Sequence, residues 1–263
     1  MVEVIETRDG PAKTVELGNA IAVASGKGGV GKTWLSITLC HALALAGRKV
    51  LLFDGDLGLA NVDIQLGLAP ERDLGGVLAG RYRLGEAVFA YEEGGFDIIA
   101  GHSGSGSLAS LPADRLDRLM VELAELAPAY DRVVLDLGAG VERTVRQLAA
   151  RARSCLVIST DEPTSMTDAY AFIKLMLIQK PKADLRVVVN MAASEHEGER
   201  TYATLRKACE SFLKAVPPLA GIVRRDDKIK QAIRNQAPLL VRYPTTQAAT
   251  DVEALARRLV EMP

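Results

Sequence analysis

The sequence predicts an α/β fold in which a mostly parallel, doubly wound sheet forms a single domain. Short runs that are apolar throughout alternate along the chain with segments of helical periodicity. A strand that is apolar on both sides is buried on both faces, which requires helices above and below the sheet. The length of 263 residues suits one large α/β domain, and no repeat or linker interrupts the alternation.

The individual elements follow that alternation in order. Residues 1–18 are polar and are expected to form a flexible leader, which leaves 19–263 as the folded domain. The predicted strands, each an apolar run, are 21–24, 50–53, 96–100, 133–137, 155–159, 185–190 and 219–223. The predicted helices are 34–46, 112–126, 141–153, 165–178, 199–213, 227–235 and 246–261. The glycine-rich stretch 101–106 is expected to be a flexible loop.

Composition excludes several classes of protein. Hydrophobic residues make up 48% and charged residues 25% of the chain, which supplies a core and excludes dominant disorder. The formal net charge of −1 provides no chain-wide basic field for nucleic acid or membrane. Three scattered cysteines without a CxxC pair, and an N-terminus without an apolar run, favour a cytoplasmic location.

Positive charge is concentrated toward the C-terminus, where residues 200–263 carry 12 basic and 6 acidic side chains. A solvated surface explains this excess, and an acidic partner or an anionic lipid surface is the alternative. The last predicted helix has an apolar face that either packs on the sheet or makes weak contact with the inner face of a membrane. That face consists of Val252, Leu255, Leu259 and Met262, with Arg257 and Arg258 beside it.

A phosphate-binding loop follows the first predicted strand. Residues 25–33 read SGKGGVGKT, which satisfies the pattern G-x-x-x-x-G-K-[ST] between a strand and a helix. Glycines let backbone N–H groups turn toward phosphate oxygens, and the helix directs its positive end at the same anion. The predicted phosphate-binding residues are Gly28, Gly29, Val30, Gly31, Lys32 and Thr33. Lys32 is expected to reach the β- and γ-phosphates and Thr33 to ligate Mg²⁺, whereas the alternative is a glycine-rich turn without a ligand.

Acidic residues end two of the predicted strands, where ligands bind in parallel α/β sheets. Asp136 follows an apolar run and is expected to hold Mg²⁺ through water, because Mg²⁺ prefers oxygen ligands and keeps part of its water shell. Asp54 is expected to support the Mg²⁺ site without contacting the ion directly, and Asp56 is expected to orient the attacking water. The alternative for each is a strand-end cap.

Two segments near these acids are predicted to change conformation when the γ-phosphate is present or absent. One begins at Asp56 and ends at Asp63, and the other contains Gly138 and Gly140.

The phosphate-binding loop also carries a second lysine, Lys27, whose side chain leaves the loop on the side away from Lys32. We expect Lys27 to contact a nucleotide held by a second copy of the chain, and a solvated surface lysine is the alternative.

Several motifs together resemble those of the MinD/ParA ATPases, which carry a deviant Walker A phosphate loop. The motifs are KGGVGKT at 27–33, DGDLGLANVD at 54–63, DEPTSMTDAYA at 161–171 and Asn190-Met191. The third motif narrows the resemblance to the FlhG/FleN branch of MinD-like ATPases, which regulates flagellar number. The resemblance extends from about residue 19 to residue 258.

The resemblance implies a P-loop NTPase fold and a slow, partner-stimulated ATPase that works as a switch. Members bind ATP and Mg²⁺ and form a homodimer around two nucleotides, in which the residue matching Lys27 acts on the partner's phosphates. Hydrolysis then separates the pair. Asn190 matches the residue that contacts adenine in relatives, and Arg224 and Asp226 lie in the loop beside the base.

The resemblance also implies partners and leaves alternatives. Members of this branch act on a flagellar transcription activator or on the GTPase FlhF, and direct DNA binding is not expected. One alternative is an interaction protein that binds nucleotide without hydrolysing it. Another is a MinD/ParA ATPase that serves division-site placement or DNA partition.

Overall fold

Eight strands form one sheet in the computed structural model, which describes residues 16–56, 58, 60–101 and 112–261. The strands are β1 (Leu17–Ser25), β2 (Val50–Gly55), β3 (Phe89–Tyr91), β4 (Phe96–Ile99), β5 (Arg132–Ala139), β6 (Ala152–Ser159), β7 (Asp184–Ala192) and β8 (Leu219–Arg224). Their order across the sheet is β3-β4-β2-β5-β1-β6-β7-β8. Every pairing is parallel except that of β3 with β4.

Helices cover both faces of this sheet, which confirms the predicted doubly wound α/β fold. They are α1 (Lys32–Leu45), α2 (Val62–Leu66), α3 (Leu74–Leu78), α4 (Ala113–Leu126), α5 (Arg143–Arg151), α6 (Pro163–Gln179), α7 (Glu195–Leu213), α8 (Asp227–Arg234), α9 (Leu239–Arg242) and α10 (Gln247–Glu261). One core lies under α4 to α7, and the other under α1, α2, α9 and α10. The alternation of apolar runs and helical segments therefore predicted the layering correctly.

The structure corrects several predicted boundaries and adds short elements. β1 begins at Leu17, inside the range predicted to be a leader, because Leu17 is buried in the core. β5 runs to Ala139, so Gly138 lies in the strand and only Gly140 follows it. The sequence does not predict α2, α3, α9 or the antiparallel edge strand β3, because each spans at most five residues and shows too little periodicity. The predicted loop 101–106 lies outside the described residues except for Gly101.

The last helix packs on the body of the protein. Val252, Leu255 and Leu259 are buried in the core formed with α1. These side chains therefore form core, and the interpretation of this face as a lipid-contacting surface is wrong for the three of them. Met262 lies outside the described residues. In the described part of the chain, no helix has both the length and the apolar character needed to cross a bilayer.

Candidate nucleotide-binding site

The phosphate loop joins the end of β1 to the start of α1, as the sequence predicts. Gly31 has a φ of 86°, in the left-handed region that favours glycine, and it turns the chain directly into α1. No side chain in the described residues caps the first turn of α1. The N–H groups of that turn therefore remain available to an anion, in line with the positive end of the helix dipole.

The loop packs so closely that two of its glycines have no space for a side chain. A Cβ on Gly26 would lie 2.1 Å from the carbonyl oxygen of Asp168 on α6. A Cβ on Gly31 would lie 2.6 Å from Nδ2 of Asn190, which donates a 2.7 Å hydrogen bond to the carbonyl of Val30. Neighbouring elements therefore fix both ends of the loop before any ligand binds.

Gly28 differs from these two glycines, because the nearest atom to a Cβ built there is Cβ of Ala139 at 3.9 Å. Protein packing therefore leaves open space beside the middle of the loop. This space lies where the sequence predicts that phosphates bind.

Lys32 lies inside the loop and not on the surface. Its side chain is buried, and Nζ donates a 3.0 Å hydrogen bond to Oγ of Ser25. The Ser25 hydroxyl in turn donates a 2.6 Å hydrogen bond to the carbonyl of Lys27. Burial lowers the pKa of Lys32, while Asp136 and Asp56 act in the opposite direction. An anion in the loop would likewise favour its charged form.

Two buried carboxylates face each other at the carboxyl ends of neighbouring strands. Asp54 on β2 and Asp136 on β5 are direct partners in the parallel register. Both are almost completely excluded from solvent. Ser36 donates a 2.9 Å hydrogen bond to Oδ1 of Asp136, and Thr33 lies close enough to lower the pKa of this carboxyl. The predicted Mg²⁺ ligands Thr33 and Asp136 are thus brought together.

The electrostatics of this pair fit a bound cation. Burial raises the pKa of Asp54, and the nearby charge of Asp136 raises it further. Burial also raises the pKa of Asp136, while Thr33 and Ser36 act in the opposite direction. Two desolvated carboxylates are unfavourable together unless positive charge compensates them. Lys32 supplies only one positive charge for the two carboxylates. Carboxylate oxygens are ligands that Mg²⁺ prefers, so a bound Mg²⁺ would compensate the remaining charge.

Asp56 follows β2 and lies beside β5. A Cβ on Gly138 would be 3.3 Å from Oδ1 of Asp56, so glycine at 138 permits this approach. Asp54 accepts backbone N–H hydrogen bonds from Asn61 and Val62, each at 3.3 Å. Asp54 therefore ties the start of α2 to the sheet. Asp63, predicted to belong to a switch loop, lies in helix α2.

Lys27, the second lysine of the loop, is held by its own chain. Its Nζ donates hydrogen bonds of 2.5 Å to Oε2 of Glu162 and 2.9 Å to Oγ1 of Thr164. Both partners precede or begin α6 and belong to the DEPTS motif. The side chain of Lys27 remains about one-third exposed, so a second chain has access to it.

Each residue predicted to lie beside adenine has a partner within the protein. Asn190 contacts the loop, as described above. The guanidinium of Arg224 is directed to α10, where it pairs with Asp251 at 2.7 Å and donates a 2.8 Å hydrogen bond to Gln247. Asp226 caps α8 by accepting a 2.9 Å hydrogen bond from the N–H of Lys228. A contact of these side chains with adenine stays a prediction.

Several residues that shape the site are not predicted from the sequence. Ser36 shares a helical face with Thr33, three residues earlier, and this spacing is the signal that would have found it. The sequence presents Glu162 and Thr164 only as parts of a motif. Trp34 is buried in the core, and among the described residues its Nε1 has no hydrogen-bond partner.

A glycine-rich loop between a strand and a helix, with a buried lysine and paired carboxylates on the next strands, defines a P-loop nucleotide-binding domain. The family profile described as "CobQ/CobB/MinD/ParA nucleotide binding domain" matches residues 21–239, and the chain belongs to this family of P-loop ATPases.

Two relatives place the chain further within the family, and a solved structure shares its fold. It is 37% identical to the antiactivator FleN of Pseudomonas aeruginosa, over 92% of this chain and 86% of that one. It is 32% identical to the flagellum site-determining protein YlxH of Helicobacter pylori, over 91% and 81% of the two chains. The solved structure of septum site-determining protein MinD of Pyrococcus horikoshii with Mg-ADP matches with a TM-score of 0.76 and 23% identity, covering 92% of this chain and 96% of that one. The predicted resemblance to MinD-like ATPases and to their FlhG/FleN branch is thereby confirmed.

Proposed function

We propose that this protein hydrolyses ATP with Mg²⁺ and uses the nucleotide to switch between a monomer and a homodimer. The observation that carries the proposal is the meeting of the phosphate loop with the buried pair Asp54 and Asp136 at one edge of the sheet. A desolvated pair of carboxylates next to an uncapped helix N-terminus suits a cation and a polyphosphate together.

In this proposal the chain acts mainly by positioning and by electrostatic stabilisation. Backbone N–H groups of the loop and Lys32 bind the phosphates. Thr33 and Asp136 would hold Mg²⁺, and Asp54 would support the site from further away. When bound, Mg²⁺ would supply positive charge that neutralises the phosphate oxygens. Asp56 orients the water that attacks the terminal phosphate.

The dimer depends on Lys27. Its contacts with Glu162 and Thr164 lie on the surface, where ion pairs contribute little, about 0–1 kcal/mol. A triphosphate on a second chain offers Lys27 several charged oxygens instead. We infer that Lys27 exchanges its intrachain partners for the phosphates of the other subunit. The two subunits then hold each other's nucleotides until hydrolysis.

The biological output is proposed from the relatives. FleN is named an antiactivator and YlxH a flagellum site-determining protein, and the chain covers most of both. We therefore propose that the switch restrains flagellar number or placement, through a flagellar transcription activator or an FlhF-like GTPase. Deletion of the gene in its own organism should raise the number of flagella per cell, and an unchanged count would contradict this assignment.

Phosphate release tests the enzymatic part. Asp56→Asn should abolish release of phosphate from ATP while ATP binding, measured by calorimetry, persists. Asp227→Asn, which changes an exposed carboxylate on α8, is the matched control and should keep the wild-type rate. If the wild type releases no phosphate even with candidate partners, the protein is a nucleotide-binding interaction protein and not an ATPase.

Light scattering tests the switch. ATP with Mg²⁺ should raise the dimer fraction, and ADP should lower it. Lys27→Ala should remain a monomer with ATP, whereas Lys230→Ala, at an exposed position of α8, should dimerise like the wild type. The same mass in both nucleotide states would refute the dimer.

A further inference from the structure

An apolar groove of about 560 Å³ lies between α6 and α7, on the face of the sheet away from α1. Its lining combines side chains from the first two turns of α6 with others from the second half of α7. The lining residues are Pro163, Met166, Thr167, Tyr170, Thr204, Leu205, Ala208 and Phe212. No step of the proposed ATPase mechanism uses them.

Phe212 makes this groove unusual. Its side chain is 77% exposed, the largest exposed fraction among the large hydrophobic residues in the described part of the chain. Single exposed apolar residues are common on protein surfaces, but here Phe212 adjoins Tyr170 and Met166 in one continuous depression. A contiguous apolar depression is typical of an interaction site.

Each helix of the groove carries an exposed lysine close in sequence to the lining residues, and the acid next to Pro163, Glu162, is paired with Lys27. Lys174 lies one turn beyond Tyr170 on the same stripe of α6, and Lys207 lies one residue before Ala208 on α7. Both lysines are exposed, and neither forms an ion pair with another described residue. The acid on the same stripe of α7, Glu197, is already paired with Arg200 at 2.9 Å.

We propose that this groove binds an amphipathic helix of a partner protein, with acidic residues along the edges of its apolar stripe. Both walls are helices whose backbone groups are bonded internally, so they offer an extended peptide no hydrogen bonds. An occupant must satisfy its own backbone groups, as a helix does. Acidic edges complement Lys174 and Lys207.

The same features argue against two other occupants. A symmetric pair of copies would place a concave, positively bordered groove against itself, which brings like charges together. A flat bilayer cannot reach into a groove between two helices as a single inserted helix can. The partner therefore presents a convex, acidic surface.

Two labelled helical peptides test the proposal against the full chain without nucleotide. They share one Leu/Phe/Met stripe, flanked in the first by glutamates and in the second by lysines. Fluorescence anisotropy should show at least tenfold tighter binding of the glutamate peptide. Phe212→Ala should weaken that binding at least tenfold, whereas Leu45→Ala, an exposed leucine on α1, should leave it unchanged.

A second experiment reverses the charge of the two lysines beside the groove. The double variant Lys174→Glu/Lys207→Glu should lose the preference or prefer the lysine peptide, and Lys230→Glu should keep it. Equal binding of both peptides by the wild type, or unchanged binding by Phe212→Ala, would overturn the proposal. So would sedimentation showing that Phe212→Ala removes self-association, or anionic vesicles that bind the wild type but not this variant. Because no nucleotide is involved, failure here would leave the proposed ATPase untouched, and failure of that proposal would leave this one untouched.

Discussion

Gly26 and Gly28 lie two residues apart in the same loop, and the structure predicts different effects of the same substitution. A methyl group on Gly26 would meet the backbone of Asp168 at 2.1 Å. Asp168 cannot simply move, because Phe172 and Ile173 anchor α6 in the core with 0% exposure. A methyl group on Gly28 would meet only Ala139, at an ordinary contact distance of 3.9 Å.

These distances give the expected magnitudes. Gly26→Ala should lower the free energy of unfolding by about 1–3 kcal/mol, the usual cost of forcing extra volume into packed structure. Gly28→Ala should change it by no more than about 0.5 kcal/mol. If phosphates fill the space beside Gly28, however, Gly28→Ala should weaken Mg-ATP binding at least about tenfold, or ~1.4 kcal/mol. Thus the fold requires glycine at 26, and the ligand requires it at 28.

Urea denaturation of the nucleotide-free protein gives the stabilities, and calorimetry with Mg-ATP gives the affinities. Gly85→Ala, at a position with no atom within 4 Å of the added Cβ, is the control for both measurements. Equal destabilisation by Gly26→Ala and Gly28→Ala would refute the packing argument. Unchanged ATP affinity in Gly28→Ala would refute the assignment of this loop as the phosphate site.

Three further predictions concern the surrounding residues. Glu162→Gln removes the charge that holds Lys27, so the ATP-dependent dimer should form up to about fivefold more tightly by light scattering, and a weaker dimer would contradict the exchange of partners. Because the pKa of Asp54 is raised to about 8, the metal-free protein should lose stability as pH rises from about 4 to about 8, by up to ~1.4 kcal/mol per pH unit. In denaturation experiments the stability of Asp54→Asn should fall less steeply with pH than that of the wild type. An equal slope would refute the raised pKa of Asp54. Gly31→Ala should destabilise by about 1–2 kcal/mol, since φ is 86° and Asn190 blocks the Cβ; wild-type stability would contradict this.

The phosphate loop and the acidic strand ends could be predicted from sequence because their signals are local. The loop needs glycines and a lysine at fixed spacing between a strand and a helix, and all of these lie within nine residues. Asp54 and Asp136 each follow an apolar run, and parallel strands bring their carboxyl ends to one edge. The topology of a parallel sheet therefore predicts that these carboxylates lie close together, even though no contact is visible in the sequence.

Contacts between distant segments could not be predicted in this way. Lys27 and Glu162 are 135 residues apart, and their pairing depends on α6 starting beside the loop. Helical periodicity predicts that Phe212 lies on an apolar stripe of α7. It does not predict the groove, because the groove depends on the distance between α6 and α7. Arg224 belongs to the segment predicted to lie beside the base, yet its guanidinium pairs with Asp251 of α10.

The register of β2 and β5 gives an argument for a cation that does not depend on any relative. A shift by one residue would separate Asp54 from Asp136 and turn one side chain to the opposite face of the sheet. The observed register instead buries two carboxylates side by side, which raises the pKa of both and lowers the stability of the metal-free protein near neutral pH. A replacement by apolar residues would suit the fold better. The arrangement is understandable if a divalent cation, positioned by Thr33, compensates the charge when nucleotide is bound.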